Sequence, residues 1–395
     1  MIRLGVMRAP DLVLFGAGSV RAVPREVAAL GTRALVVVDP FLASSAPFLS
    51  AMRGIESAGV AVLLHDHVIP ELPVEAVEDA ANRARGFAPD VVVGWGGGSA
   101  LDLAKLIALL LAHEGPLSEY YGEHRLPGPI LPLVAVPTTA GTGSEVTPIA
   151  VVSDSARSIK VGVADSALVP RVAIVDPELT IGAPPTVTAF AGIDAVVHAV
   201  EAYTARAVEP RWAEPTAIFV GRNPLSSALA IEAVAAMVDA LPVAFAQPEN
   251  ADARERMAYG SLLAGLAFGS AGTHLSHALQ YPIGAATRTP HGLGTGMLLP
   301  YVLSACADHI SPQLDELSVA MGGRSPIATL AALNEEIGIP RSLREMGVDR
   351  SDLSRFAELA LTATRLVRNA PIDATPALLE QILVSAYEGD LRSPA

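Results

Sequence analysis

The stretch Val91-Val92-Val93-Gly94-Trp95-Gly96-Gly97-Gly98-Ser99-Ala100-Leu101-Asp102-Leu103-Ala104-Lys105 decides the fold class. Its continuous aliphatic start reads as a strand buried on both faces, and it turns through three glycines into a helix-forming segment. Without Cβ atoms, consecutive glycines let backbone N–H groups approach an anion closely. The start of the following helix adds the positive end of its dipole. The expected role is a pyrophosphate cradle, since a plain strand–helix turn rarely needs three glycines.

Outward from this segment, Ala34–Val38, Val60–Leu64 and Leu133–Val136 are further continuous apolar runs, with helical candidates at 75–85 and 99–112. Strand–helix repetition of this kind predicts an open parallel α/β sheet. Gly182-Ala183-Pro184-Pro185 reads as a linker, and helical periodicity follows at 186–204, 224–244, 252–280, 293–306, 310–322, 326–338 and 352–368. The expected architecture is α/β plus all-α: a Rossmann-like domain over 1–181 and an all-helical domain over 182–395. There is no repeat at a fixed period and no heptad pattern.

Composition narrows the function classes. A chain of 395 residues exceeds the size at which one core keeps growing, which agrees with two domains. Acidic residues outnumber basic ones 41 to 27, for a net charge of −14, so nucleic acid and anionic membrane surfaces are not expected partners. A single cysteine, Cys306, forms no internal disulfide and fits a reducing cytoplasm. The start, Met1-Ile2-Arg3-Leu4-Gly5, lacks the apolar run of a signal peptide. Mean hydropathy is high at +0.42, yet the charge-free stretch Leu126–Ser144 carries Pro127, Pro129, Pro132 and Pro137 and forms no regular membrane helix. The apolar excess is assigned to buried strands and helix faces of a cytoplasmic protein.

Two more glycine clusters lie in the α/β half. Gly16-Ala17-Gly18-Ser19 resembles the start of a GxGxxG fingerprint, but Arg21 takes the third glycine's place. About twenty residues on, Asp39 either binds a ribose 2′-hydroxyl and repels a 2′-phosphate, or simply ends its strand in an Asp39-Pro40 turn. Pro137-Thr138-Thr139-Ala140-Gly141-Thr142-Gly143-Ser144-Glu145 follows a strand end and offers hydroxyls and amides to phosphate or ribose.

The helical half holds the metal candidates. Asp194 and His198 are four apart on one helical face, and His274, His277 and Tyr281 are predicted to share a face of a later helix. His291 stands between Pro290 and Gly292, at a loop or helix start. A carboxylate with imidazoles suits Fe²⁺ or Zn²⁺ rather than Ca²⁺ or Mg²⁺. Spacing alone leaves an ordinary reading open, in which these are satisfied core histidines. His65-Asp66-His67 looks like a metal motif, but strand alternation turns Asp66 away from both imidazoles. His113, His124 and His309 stand alone.

Taken together, Gly96-Gly97-Gly98-Ser99-x-x-Asp102-x-x-Lys105, Pro137–Glu145, Gly192-Ile193-Asp194-Ala195-x-x-His198-Ala199-x-Glu201-Ala202-Tyr203 and Pro290-His291-Gly292 resemble the iron-containing (group III) alcohol dehydrogenase family, from about residue 8 to 385. The resemblance implies a dehydroquinate synthase-like pair of domains with NAD(P) and a divalent metal, Fe²⁺ before Zn²⁺, in a cleft between them. It places the metal on Asp194, His198, His277 and His291, leaving His274 as a neighbour. It places the cofactor on Asp39, Gly97, Gly98, Ser99, Thr138, Thr139, Thr142 and Lys160. Asp39 favours NAD over NADP.

Two positions depart from the commoner family pattern. Tyr281 stands where many members have a second histidine, and His277-Ala278-Leu279-Gln280-Tyr281-Pro282-Ile283 is closer to the hydroxyacid–oxoacid transhydrogenase branch. Residues 206–222, with Trp212 and Phe219, form a longer link than usual. Tyr281 and the ligand His277 are the residues expected nearest the chemistry.

The expected activity is hydride transfer between an alcohol (or its aldehyde or ketone) and NAD(P), by a homodimer or larger homo-oligomer. A transhydrogenase with a retained nicotinamide is the alternative. A sugar-phosphate cyclase on a related scaffold needs lysine and arginine clusters, and Arg288 is the cation nearest the expected ligands in sequence.

Overall fold

A computed structural model describes residues 5–154, 159–209 and 215–391. The chain forms two units, Arg8–Ile181 on one hand and Met1–Met7 with Gly182–Ala395 on the other.

The first unit contains β1 (Leu12–Phe15), α1 (Val23–Leu30), β2 (Arg33–Val38), α2 (Ala46–Ser57), β3 (Ala61–His65), α3 (Val74–Arg85), β4 (Val91–Gly96), α4 (Gly98–Ala112), β5 (Gly122–Glu123), β6 (Leu133–Pro137), β7 (Ile149–Asp154), β8 (Ile159–Ala164) and β9 (Val172–Val175). Six strands make a parallel sheet in the order β1-β9-β6-β4-β2-β3. Its continuous apolar runs are explained by cover on both faces. Leu35 and Val37 of β2 join the core under α3 and α4, while Ala34, Val36 and Val38 join the core under α1 and α2. A strand flanked by helices on both sides has no polar face to alternate with.

Four strands and two helices of this sheet match the apolar runs and the helical candidates. The pattern missed β1 and β9, which have four residues each, and α1 and α2. The run at 60–64 gives β3, an edge strand with Leu64 exposed, because only β2 pairs with it. A second sheet, β5-β8-β7, was also missed. Its β7–β8 pair is antiparallel, and in β7 Ala150 and Val152 alternate with less buried neighbours.

The second unit contains α5 (Pro185–Thr204), α6 (Pro224–Met237), α7 (Ala240–Ala246), α8 (Ala251–Ala271), α9 (Leu275–Thr287), α10 (His291–Cys306), α11 (Ser311–Ala320), α12 (Pro326–Glu336), α13 (Leu353–Leu361), α14 (Thr364–Asn369) and α15 (Pro376–Glu388). α5 is the central helix, with α6, α8 and α10 packed around it. Three expected helices are each broken in two. Pro242 has no N–H to return to the carbonyl of Val238, so 224–244 divides into α6 and α7. Gly272, at φ 80°, ends α8 and divides 252–280. The 352–368 segment divides at Thr362-Ala363, and α15 lay beyond the predicted helices. Among the described residues no single helix is long and apolar enough to cross a membrane; α6 and α7 taken together reach that length and composition, bent by 42°.

Candidate active site

The carboxylate–imidazole cluster grows from α5, whose residues are all buried from Gly192 to Thr204. Asp194 and His198 lie one turn apart on it, with Oδ2 3.7 Å from Nε2. His198 stacks on Phe268 of α8 and on His277, at centroid distances of 4.2 and 5.0 Å. α10 crosses α5 at glycines. A Cβ on Gly292 would sit 2.0 Å from the Phe190 carbonyl oxygen, and one on Gly296 would sit 2.5 Å from Ile193. This close crossing carries His291, the first residue of α10, to Asp194, with Nε2 3.8 Å from Oδ1. His277 of α9 points its Nε2 at the same oxygen from 4.0 Å. Donor atoms of Asp194, His277 and His291 all lie within 4.8 Å of one another, and His198 stands beside Asp194 outside that mutual set.

The tautomers of two imidazoles follow from their partners. His277 Nδ1 donates to Glu201 at 2.7 Å, and His291 Nδ1 donates to the Gln280 amide oxygen at 2.9 Å. Neither oxygen has a proton to give, so each ring presents a lone pair on Nε2 toward Asp194. His277 Nε2 is buried and has no hydrogen-bond partner. Two lone pairs and a carboxylate facing inward are all acceptors, and a cation is what satisfies such a set. Asp194 also accepts the Thr295 hydroxyl at 2.7 Å. Burial works to raise its carboxyl, but His198, His291, His277 and that hydroxyl hold it below the ordinary range.

Glu201 was quoted in the sequence motif without a role of its own. Seven residues after Asp194, it takes backbone N–H bonds from His274 at 2.8 Å and Ser276 at 2.7 Å, besides the His277 ring. Against full burial, His274 and His277 hold it far below the usual carboxylate range. The 4-then-3 spacing of Asp194, His198 and Glu201 is the signal that points to it.

His274 does not share a helical face with His277, which corrects the sequence expectation. The turn at Gly272 places it before α9, with φ −141°. It is fully buried, and its Nε2 meets the Thr204 hydroxyl at 2.9 Å; that hydroxyl in turn donates to the Val200 carbonyl at 2.8 Å. Burial pushes its imidazole down, partly countered by Glu201. Tyr281 lies one turn beyond His277 on α9, its ring 6.2 Å from that of His291. Burial raises its phenol, and the Arg365 guanidinium facing it works the other way. Arg365 answers the sequence argument that cations near the ligands are few: α14 brings it in from far along the chain. Trp212 and residues 210–214 of the long link lie outside the described residues, while Phe219 is buried.

In the α/β unit, the winding reverses after β3, and the chain returns to place β4 on the other side of β2. Open α/β sheets bind ligands at such a reversal. Asp39 ends β2 there, beside Gly96, where a Cβ would lie 3.2 Å from that of Asp39. Its Oδ1 accepts the Phe41 N–H at 3.0 Å, so the strand-ending turn is present. The next strand, β6, brings Thr138, Thr139 and Thr142 alongside. Thr138 N–H bonds the Gly96 carbonyl at 3.0 Å, and a Cβ on Gly98 would overlap Thr142 at 2.5 Å. Gly97, Gly98 and Ser99 open α4 at this point.

Gly16-Ala17-Gly18 follows β1, which three strands separate from β2, whereas Gly96 lies next to Asp39. Lys160, on β8, is ion-paired with Glu71. A buried trio was also missed. Asp102 of α4 accepts from the Ser144 hydroxyl at 2.6 Å and from Val151 N–H at 2.9 Å. Lys105 donates to the carbonyls of Thr147 and Ile149, both at 2.8 Å. Burial pushes Lys105 down to about 8 and Glu145 up to about 7. His65-Asp66-His67 forms no cluster of this kind; His65 Nε2 meets the His67 carbonyl at 3.1 Å.

A twice-covered parallel sheet with glycine-rich strand ends, followed by helices that hold inward-facing imidazoles and a carboxylate, is the plan of a metal-assisted dehydrogenase. The chain belongs to the iron-containing alcohol dehydrogenase family: residues 10–177 match the iron-containing alcohol dehydrogenase domain, and residues 188–387 match the family's C-terminal domain. It is an oxidoreductase of the alcohol dehydrogenase type. It is 36% identical over 400 residues to long-chain-alcohol dehydrogenase 1 of Geobacillus thermodenitrificans, covering 98% of this chain and 97% of that one. It is 34% identical over 389 residues to the NAD-dependent methanol dehydrogenase of Bacillus methanolicus, covering 95% and 98%. Among solved structures, a 1,3-propanediol oxidoreductase superposes with a TM-score of 0.90 at 32% identity, covering 98% of this chain and all of that one.

Proposed function

We propose that this protein interconverts an alcohol and its aldehyde or ketone, using NAD(H) in preference to NADP(H) and a divalent metal, Fe²⁺ before Zn²⁺. The observation that carries the reading is the facing of His277 Nε2, His291 Nε2 and the Asp194 carboxylate, three acceptors arranged for one cation. Asp194, His198, His277 and His291 would hold the metal. When bound, it supplies Lewis acidity toward the substrate oxygen, and the nicotinamide supplies the hydride chemistry.

The chain's own residues orient and protonate. Glu201 and Gln280 lock the His277 and His291 rings with Nε2 inward. Tyr281, a turn from His277, donates its phenol O–H to the substrate oxygen or passes its proton to solvent. Gly97, Gly98 and Ser99 offer backbone N–H groups to a pyrophosphate, with Thr138, Thr139 and Thr142 beside them. Asp39 takes the ribose hydroxyls, and Lys160 is assigned to the same cofactor. The protein is expected in the cytoplasm as a homodimer or larger homo-oligomer.

The test is metal analysis of the purified protein reconstituted with Fe²⁺ or Zn²⁺, together with NADH and NADPH assays over alcohols and aldehydes. One metal per chain and NADH-linked activity are expected. Full metal content in His277→Ala, or activity indifferent to metal, overturns the reading.

A further inference from the structure

We propose that the gap between α9 and α10 sets the orientation of His291 through Gln280, so that Gln280, Gly284 and Gly294 are positioning residues that act on the metal site through that one ring. The inference rests on the function proposed above. Gln280 is fully buried. Its Oε1 accepts from His291 Nδ1 at 2.9 Å, while its Nε2 is buried with no hydrogen-bond partner. A residue that only fills the core does so better without an unsatisfied amide nitrogen, which destabilises the fold. Glutamine at this position is explained when its oxygen has work to do at His291.

Two glycines make the slot that holds Gln280. A Cβ on Gly284, one turn further along α9, would lie 2.4 Å from Gln280 Nε2, and a Cβ on Gly294 of α10 would lie 2.7 Å from Gln280 Cγ. At both positions the three nearest heavy atoms beyond the glycine's own helix backbone all belong to Gln280. Neither glycine has a positive φ, and both lie inside helices, where alanine is ordinarily the better residue. Room for the Gln280 side chain is therefore what glycine supplies at each. A methyl group in either place pushes on this side chain, the flexible partner, and takes Oε1 off His291. His291 needs that hold more than His277 does. Its side chain is 32% exposed, against 5% for His277, and it is the first residue of α10, so a released ring has solvent to turn into. With Oε1 in place, Nδ1 carries the proton and Nε2 keeps its lone pair toward Asp194.

The experiment measures Zn²⁺ and Fe²⁺ affinity of the full chain by chelator competition, beside nitrogen-15 spectra of histidine-labelled, metal-free protein. Gln280→Met fills the slot without an acceptor and should weaken both metals about ten- to hundredfold, whereas Gln280→Glu keeps an oxygen for Nδ1–H and should retain most of the affinity. Gly294→Ala should show a loss of the same order. Added to Gln280→Ala it should weaken binding no further, because the side chain it displaces is already gone. Gly284→Ala serves the same comparison where Gly294→Ala fails to fold. Wild-type affinity in Gln280→Met overturns the inference. So do losses from Gln280→Ala and Gly294→Ala that simply add, which would make the glycine a packing residue. In the metal-free spectra His291 is expected as the Nδ1–H tautomer in wild type and should lose that signature in Gln280→Met. This readout stands without metal: a wild type that binds none overturns the proposed function, whereas unchanged His291 spectra in Gln280→Met overturn the present inference.

Discussion

Glu201 accepts a 2.7 Å hydrogen bond from Nδ1 of His277, and this one bond decides that the ring's other nitrogen faces Asp194 as a lone pair. A glutamine there presents an N–H₂ group as readily as a carbonyl oxygen, and it removes the charge that favours the Nδ1–H tautomer. Glu201→Gln is expected to weaken metal affinity about ten- to hundredfold, although Glu201 is not among the expected ligands. Chelator competition followed by metal analysis measures it. Wild-type affinity in Glu201→Gln would mean that packing alone orients His277.

Asp39 sits at the winding reversal beside Gly96, one oxygen used by the Phe41 N–H. Its charge repels a 2′-phosphate, so Asp39→Gly should raise the ratio of NADPH to NADH use. Steady-state kinetics with both cofactors read the ratio. No change would leave the Asp39-Pro40 turn as its whole role.

Tyr281→Phe keeps the ring near His291 and deletes the hydroxyl. Turnover should drop about ten- to hundredfold with metal content unchanged. Tyr281→His tests whether an imidazole in this position restores the rate. Wild-type turnover of Tyr281→Phe across the pH range would make the residue a packing element.

Glu145 and Lys105 are buried in one trio with Asp102, and burial moves them in opposite directions. A carboxyl raised to about 7 stabilises the fold below its ordinary value, and that contribution is lost as pH rises through about 7. Lys105, lowered to about 8, loses its contribution as pH falls through about 8. Glu145→Gln removes the carboxyl's share alone. The variant should therefore gain on wild type between about pH 5 and pH 8, by about 1–3 kcal/mol. Thermal unfolding midpoints of both proteins over that range test it; a constant difference means the carboxyl does not titrate there.

The sequence by itself determined the doubly covered sheet and the helical character of the second half. Strand and helix periods are local, so Val91–Lys105 announces a strand, a glycine turn and a helix without any knowledge of neighbours. Asp194 and His198 are paired by one helical turn, which is local too. Tertiary structure decided the rest. His291 reaches Asp194 because Gly292 and Gly296 let α10 close on α5, and His274 is turned aside by a glycine that periodicity passed over. Glu201 and Gln280 choose the tautomers across helices. Arg365 enters from α14, a helix with no motif. Each of these depends on distances between segments far apart in the chain. Such distances are set by packing and backbone approach, to which a one-dimensional pattern is blind.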